Sequence, residues 1–131
     1  MDELYPEYVT KEAIEGLVKK LNLPRPDRYS QDWEYEVSDS ARVAEFVDFY
    51  GNNTLNKEEK FALMKIIISS YDEALTEEMT NEEIASQIKS YLILDVYIHR
   101  NTISYWALLD EGDIEDCFAI TPLMREVHAA L

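Results

Sequence analysis

Glycine and proline are scarce in this 131-residue chain, with three and four copies. That scarcity argues against a turn-rich β-sandwich and for a helical fold. Cysteine occurs once, as Cys117, so no internal disulfide framework can form and no Cys-x-x-Cys pair exists for zinc or thiol exchange. Long hydrophobic runs are missing too. The longest, YLILDVYI (91–98), is eight residues with an aspartate inside, whereas a membrane span needs about 20. The opening MDELYPEYVT has neither the positive nor the apolar segment of a secretory signal, and the expected compartment is the cytoplasm. The glycines Gly16, Gly51 and Gly112 stand singly, which leaves no phosphate-cradling loop or dinucleotide fingerprint.

Positive charge is the other deficit. Twelve lysines and arginines face 27 aspartates and glutamates, for a net charge of -15. The excess is spread along the chain: ten acidic against five basic residues in 1–40, eight against four in 41–80, nine against three in 81–131. Such a surface repels phosphate backbones, so no nucleic-acid partner is expected. It favours a basic protein partner through steering and complementarity. An apolar fraction of 47% nonetheless supports a real core, not a disordered polyanion. The expectation is one acidic helical domain over 1–131.

Hydrophobic spacing then predicts an all-α bundle of about five helices, with a short strand or extended segment as an option near 31–37 or 102–109. Thr10 is placed to cap a first helix in which Ile14, Leu17, Val18 and Leu21 form the i, i+3, i+4, i+7 stripe, and Leu4, Tyr5 and Tyr8 are expected to fold back onto it. In SQDWEYEVSDS, Trp33, Tyr35 and Val37 alternate with carboxylates, a period of two. A helix beginning near Ser38 or Ser40 should bury Val43, Phe46, Val47 and Tyr50, with Gly51 and Asn52 as its stop. Asn56 and Glu59 have capping-box spacing ahead of a helix with an unusually wide apolar face, the mark of a central element. Thr80 and Glu83 suggest another capping box. From there Ile84, Ile88, Tyr91, Leu92, Asp95, Ile98 and His99 share one sector of a helix running to about Arg100. Thr121 and Pro122 read as a cap and first-turn proline for a terminal helix whose Leu123, Val127 and Ala130 face inward.

Chemistry is harder to find. DEGDIEDC (110–117) holds five carboxylates in eight residues, yet no register places glycine sixth and glutamate twelfth as a calcium loop demands. It reads as a solvated loop. Cys117 between Asp116 and Phe118 lacks a neighbour that favours a thiolate. Asp95 and His99, four residues apart on one apolar face, are expected as a buried polar pair, since a lone carboxylate among apolar neighbours is costly; Arg100, His99 or a tyrosine hydroxyl are its candidate partners. The chain has no Glu-x-x-His pair for a di-iron bundle. No catalytic residue, metal ligand or cofactor is assigned.

Two aromatic–acidic patches are the candidate partner-binding surfaces: Asp32, Trp33, Glu34, Tyr35 and Glu36, joined by Tyr29, and Tyr71 with Asp72 and Glu73. Aromatic anchors within a charged rim suit an interface centre; the alternative for Trp33 and Tyr35 is a place in the core. The expected function is a small acidic protein-binding module, such as an inhibitor or immunity-type protein that neutralises a basic partner, for example a nuclease. A structural or regulatory helical subunit forming a homo-oligomer is the alternative. If self-repulsion dominates, mild acidification from neutral should raise thermal stability.

Overall fold

The computed structural model describes residues 8–27 and 32–131; Leu4, Tyr5 and Tyr29 lie outside them. Tyr8 is 79% exposed and does not fold back onto the first helix. That helix, α1 (Lys11–Leu21), opens as its sequence predicts, with Thr10 Oγ1 accepting from the Ala13 N–H at 3.1 Å. Leu17, Val18 and Leu21 are buried and Ile14 half-buried. Asn22 closes it in the left-handed conformation, φ 54°, which asparagine tolerates better than most residues.

The alternating WEYE segment forms one turn of helix, α2 (Trp33–Glu36), not a strand. A 3-10 turn at Ser40–Arg42 leads into α3 (Val43–Asn52), and the predicted Val43, Phe46, Val47 and Tyr50 are all buried. Helix α4 (Lys57–Thr76) carries the capping box in full: Asn56 Oδ1 accepts from Glu59 N at 2.8 Å, and Glu59 Oε1 accepts from Asn56 N at 3.2 Å. Glu59 is itself buried and takes Lys20 Nζ on both oxygens, at 3.0 and 2.9 Å. This carboxylate explains a glycine inside α1, because a Cβ on Gly16 would overlap it. Phe61, Leu63, Met64, Ile66, Ile67 and Ile68 are essentially inaccessible. Helix α4 is thus the axle, with α1, α2, α3 and α6 (Val96–Ala107) packed around it.

The expected fourth helix is two helices. Helix α5 (Glu82–Leu94) and α6 meet at Asp95, whose φ of -107° and ψ of 36° break the spiral. The cap of α5 is Asn81, not Thr80: its Oδ1 accepts from Glu83 N and Ile84 N at 3.0 and 3.1 Å. TISYWALL, a possible strand by sequence, belongs to α6 except for its last two residues. Helix α7 (Thr121–Ala129) starts as marked, but Thr121 lies inside the first turn. Its buried hydroxyl donates to Trp106 O at 2.8 Å and accepts from Phe118 N at 3.1 Å, fastening α7 to α6. Met124 and Val127 are buried, Leu123 half-buried, and Ala130 and Leu131 exposed. The fold is all-α, with seven α-helices and no strand among the described residues. Buried residues from α1 through α7 join in one apolar cluster.

DEGDIEDC closes the end of α6. Leu108 turns left-handed, φ 45°, and the freed carbonyls of Ala107, Leu108 and Glu111 accept from the Arg125 guanidinium at 2.7, 2.6 and 2.9 Å. Within the loop, Asp113 accepts from Glu115 N and Glu111 from Asp113 N. Its carboxylates brace backbone or face water.

Candidate functional site

Among the described residues polar chemistry gathers in one enclosed network and in several open clefts, and the network comes first. At the α5–α6 bend the Tyr50 hydroxyl lies 2.7 Å from Asp95 Oδ2 and 2.8 Å from His99 Nε2, while Lys60 Nζ donates to Asp95 Oδ2 at 3.3 Å. Tyr50 has one proton to give. Giving it to Asp95, which also accepts from Lys60, makes His99 Nε2–H the donor to the phenol oxygen. His99 Nδ1 then faces the core with no partner. Burial, only partly offset by Asp95, lowers the His99 pKa from 6.5 to about 4, so the ring is neutral at pH 7. Burial first, then the bond to Asp95, raises the Tyr50 phenol far above its ordinary value. Asp95 and His99 therefore do meet, but through Tyr50 and at a break between helices. His99 has no accessible surface and Asp95 only 7%, so the network braces the core instead of facing a substrate. Arg100, a candidate partner by sequence, points outward.

The second feature is a cleft of about 360 Å³ between α2, α4 and α6. Tyr35, Phe61, Tyr105 and Trp106 form its aromatic wall, and Asp32, Glu34, Lys65, Asn101 and Thr102 supply its polar groups. Tyr35 and Tyr105 both present themselves edge-to-face to Trp106, at centroid distances of 6.1 and 5.6 Å. The Lys65 ammonium rests over the Phe61 and Tyr35 rings, at 5.0 and 5.9 Å, and is 4.0 Å from Glu34 Oε2. Burial, reinforced by Tyr105, Glu34 and Asp32, pushes the Tyr35 phenol up to about 12.

The third is an apolar groove of about 210 Å³ at the turn between α4 and α5, with Val43, Ala44, Ala74, Met79 and Ile84 among its lining. Glu73 and Glu77 stand at its edge, where they accept from Ser40 N and Ser40 Oγ at 3.3 and 2.7 Å. Exposed Glu78, Glu82 and Glu83 flank Met79, itself 47% exposed. Between Lys65 and Lys89 the chain has Asp72, Glu73, Glu77, Glu78, Glu82 and Glu83 and no lysine or arginine. The nearby Arg42 is occupied by both oxygens of Glu45.

The two sequence patches are reapportioned accordingly. Trp33 is 3% exposed and donates to Pro24 O at 2.8 Å, so it pins the proline connector to the core and offers no surface. Tyr71 is likewise buried; its hydroxyl donates to Asn81 O at 3.1 Å and accepts from Asn81 N at 3.3 Å, which fixes the α4–α5 turn. Asp72 is half-buried and accepts from Ile120 N at 3.0 Å ahead of α7; burial raises its pKa despite that bond. Asp32, Glu34 and Tyr35 line the cleft, Glu36 is exposed, and Glu73 stands at the groove. The tyrosine hydroxyl expected as a partner of Asp95 is that of Tyr50, whereas sequence reasoning missed Lys60 as a partner of Asp95 and Lys65, Thr102 and Trp106 as cleft residues. Only Tyr50 carried a signal, its place on the apolar face of α3.

Among the described residues no group of three or more His, Cys, Asp or Glu side chains gathers as for a metal, and no helix is long and apolar enough to cross a membrane. No protein-family model matches the chain, and no curated protein or solved structure is significantly similar to it. The class defined by fold and composition is a small acidic all-α protein, with an aromatic cleft and an apolar groove near acidic helix ends among the open features of its described residues.

Proposed function

We propose that this chain is a small acidic protein-binding module that docks a basic partner on the α4–α5 turn. The observation that carries the reading is the Met79 groove: an apolar floor, exposed Glu73, Glu77, Glu78, Glu82 and Glu83 on the adjoining helix ends, and no cation in the intervening sequence. An apolar centre inside a single-sign rim combines desolvated contact area with long-range attraction. Its complement is an apolar side chain flanked by lysines or arginines. An inhibitor of the immunity type fits this chemistry, because carboxylates ranged along a helix end can occupy a cationic surface that a nuclease uses for phosphates.

The test compares Glu77→Lys/Glu78→Lys with Glu12→Lys/Glu15→Lys, which makes the same charge change at exposed sites on α1. Basic proteins retained from native cytoplasm at low salt are identified and titrated against each form. Affinity should fall about 10- to 100-fold for the groove variant and much less for the α1 variant. Equal losses would reduce the effect to net charge and remove the groove from the account.

A second reading, a homo-oligomeric helical subunit, draws on Ile93, Leu94 and Tyr97, which are 36, 72 and 54% exposed around the α5–α6 bend. An apolar patch of this kind can meet its copy across a two-fold axis. It predicts a dimer in light scattering that Leu94→Asp dissociates; a wild-type monomer at high concentration rejects it.

A further inference from the structure

Tyr105 of α6 is 56% exposed, yet its ring is held in place. It stacks on Phe118 at 5.9 Å and meets Trp106 edge-on at 5.6 Å. It is also a wall shared by two open clefts. One is the aromatic cleft; the other, of about 410 Å³, is completed by Ser104, Leu108, Leu109, Asp110 and Glu111. Leu109 is 51% exposed. Tyrosine is a favoured anchor at interface centres, and a ring already fixed by its neighbours has little freedom left to lose on docking.

Charge decides what can cover this ridge. From Asn101 to Met124 the chain has five carboxylates and no lysine or arginine, and Asp110 and Glu111 line the second cleft. Arg125, the next cation along, is held by the carbonyls of Ala107, Leu108 and Glu111. In the aromatic cleft Lys65 is paired with Glu34 and lies over the Phe61 and Tyr35 rings, while Asp32 is exposed. Behind burial, Tyr105, Glu34 and Asp32 all help to hold the Tyr35 proton in place, so the field is negative here too. Thr102 Oγ1 and Trp106 Nε1 have no partner, but both are sealed from solvent and offer a ligand nothing. An anionic occupant would be repelled from both sides of Tyr105, and a wholly apolar one would strip water from carboxylates without replacing it. A guanidinium group suits both the carboxylates and the aromatic face.

We propose that the Tyr105 ridge is a second docking surface, which takes an arginine-bearing segment of a protein. Apolar side chains of that segment cover Tyr105 and Leu109, and its guanidinium groups meet Asp110 and Glu111 on one side and Asp32 on the other. The ridge shares no lining residue with the Met79 groove, so either surface can fail without the other.

The probe is acetyl-Arg-Leu-Arg-Leu-Arg-amide, titrated into ¹⁵N-labelled protein at about 0.15 M salt. The amide resonances of Tyr105, Leu109 and Asp110 should shift saturably; those of Met79 and Ile84 report the groove separately in the same spectra. The peptide with serine in place of both leucines keeps the charge and should bind the ridge about 10-fold more weakly. Asp110→Lys changes one exposed side chain and should weaken the leucine peptide at the ridge at least about 5-fold. Glu77→Lys/Glu78→Lys removes twice as much negative charge and should weaken it there by less. Shifts confined to Met79 and Ile84, or spread evenly over the acidic surface, overturn the proposal. So do equal affinities of the two peptides for the ridge, or a loss from Glu77→Lys/Glu78→Lys as large as that from Asp110→Lys.

Discussion

His99 shows how a single buried residue sets the response to pH. Its folded pKa is about 4, against about 6.5 in the unfolded chain. As the pH falls below about 6.5 the unfolded chain takes up a proton that the folded one refuses. Stability present at neutral pH is therefore lost progressively down to about pH 4. Between pH 7 and 5 the loss is about 2 kcal/mol. Asp72, whose pKa burial raises, pulls the other way as the pH falls. The His99 contribution runs opposite to the sequence-based expectation that mild acidification stabilises where self-repulsion dominates. Urea unfolding at about pH 7 and 5 should show the wild type losing stability and His99→Gln losing distinctly less. A wild type that gains stability over that range would contradict the neutral, buried assignment.

At the scale of elements, helix ends tell the most. Helix α4 finishes with Met79 N donating to Ala74 O at 2.8 Å and Glu78 N to Leu75 O at 3.0 Å, a Schellman closure whose left-handed position is normally glycine. Here it is Glu78, φ 62°, a conformation that costs a non-glycine residue about 1–2 kcal/mol. The strained residue adjoins Met79 on the proposed docking rim, where strain of this kind is tolerated for function. Glu78→Gly should raise stability by up to about 1 kcal/mol in urea unfolding while weakening association with the basic partner; a variant that is more stable and binds equally well would detach the strain from docking. Such ends also show what was legible in the sequence. The Thr10 cap, the Asn56–Glu59 box and the apolar faces of α1, α3 and α4 were readable because each depends on residues within one or two turns. The break at Asp95 was not, and the partners of its carboxylate lie on other helices, Tyr50 of α3 and Lys60 of α4. Trp33 and Tyr71 illustrate the same limit. Aromatics beside carboxylates look like interface anchors until Pro24 and Asn81 supply their hydrogen-bond partners. The orphan Trp106 and Thr102 atoms left no trace in the sequence at all, since a missing partner has no spacing.

At the scale of the whole molecule, most carboxylates of the described residues lie on the outside of a core turned about α4. A few are drawn inward: Glu59 to Lys20, Asp95 to Tyr50 and Lys60, Asp72 to the start of α7. The exposed carboxylates give a negative field that weakens with salt. Over about 0.05 to 0.3 M salt the Debye length shrinks from roughly 14 to 6 Å, so steering by exposed carboxylates should fade across it. The most direct measurement is the association rate of the basic protein retained from cytoplasm, followed across that salt range for the wild type and Glu77→Lys/Glu78→Lys. The rate for the wild type should fall at least about 10-fold with added salt, and the groove variant should associate slowly at every concentration. Salt-independent association, or identical salt profiles for the two forms, would contradict docking on the carboxylate-rimmed face.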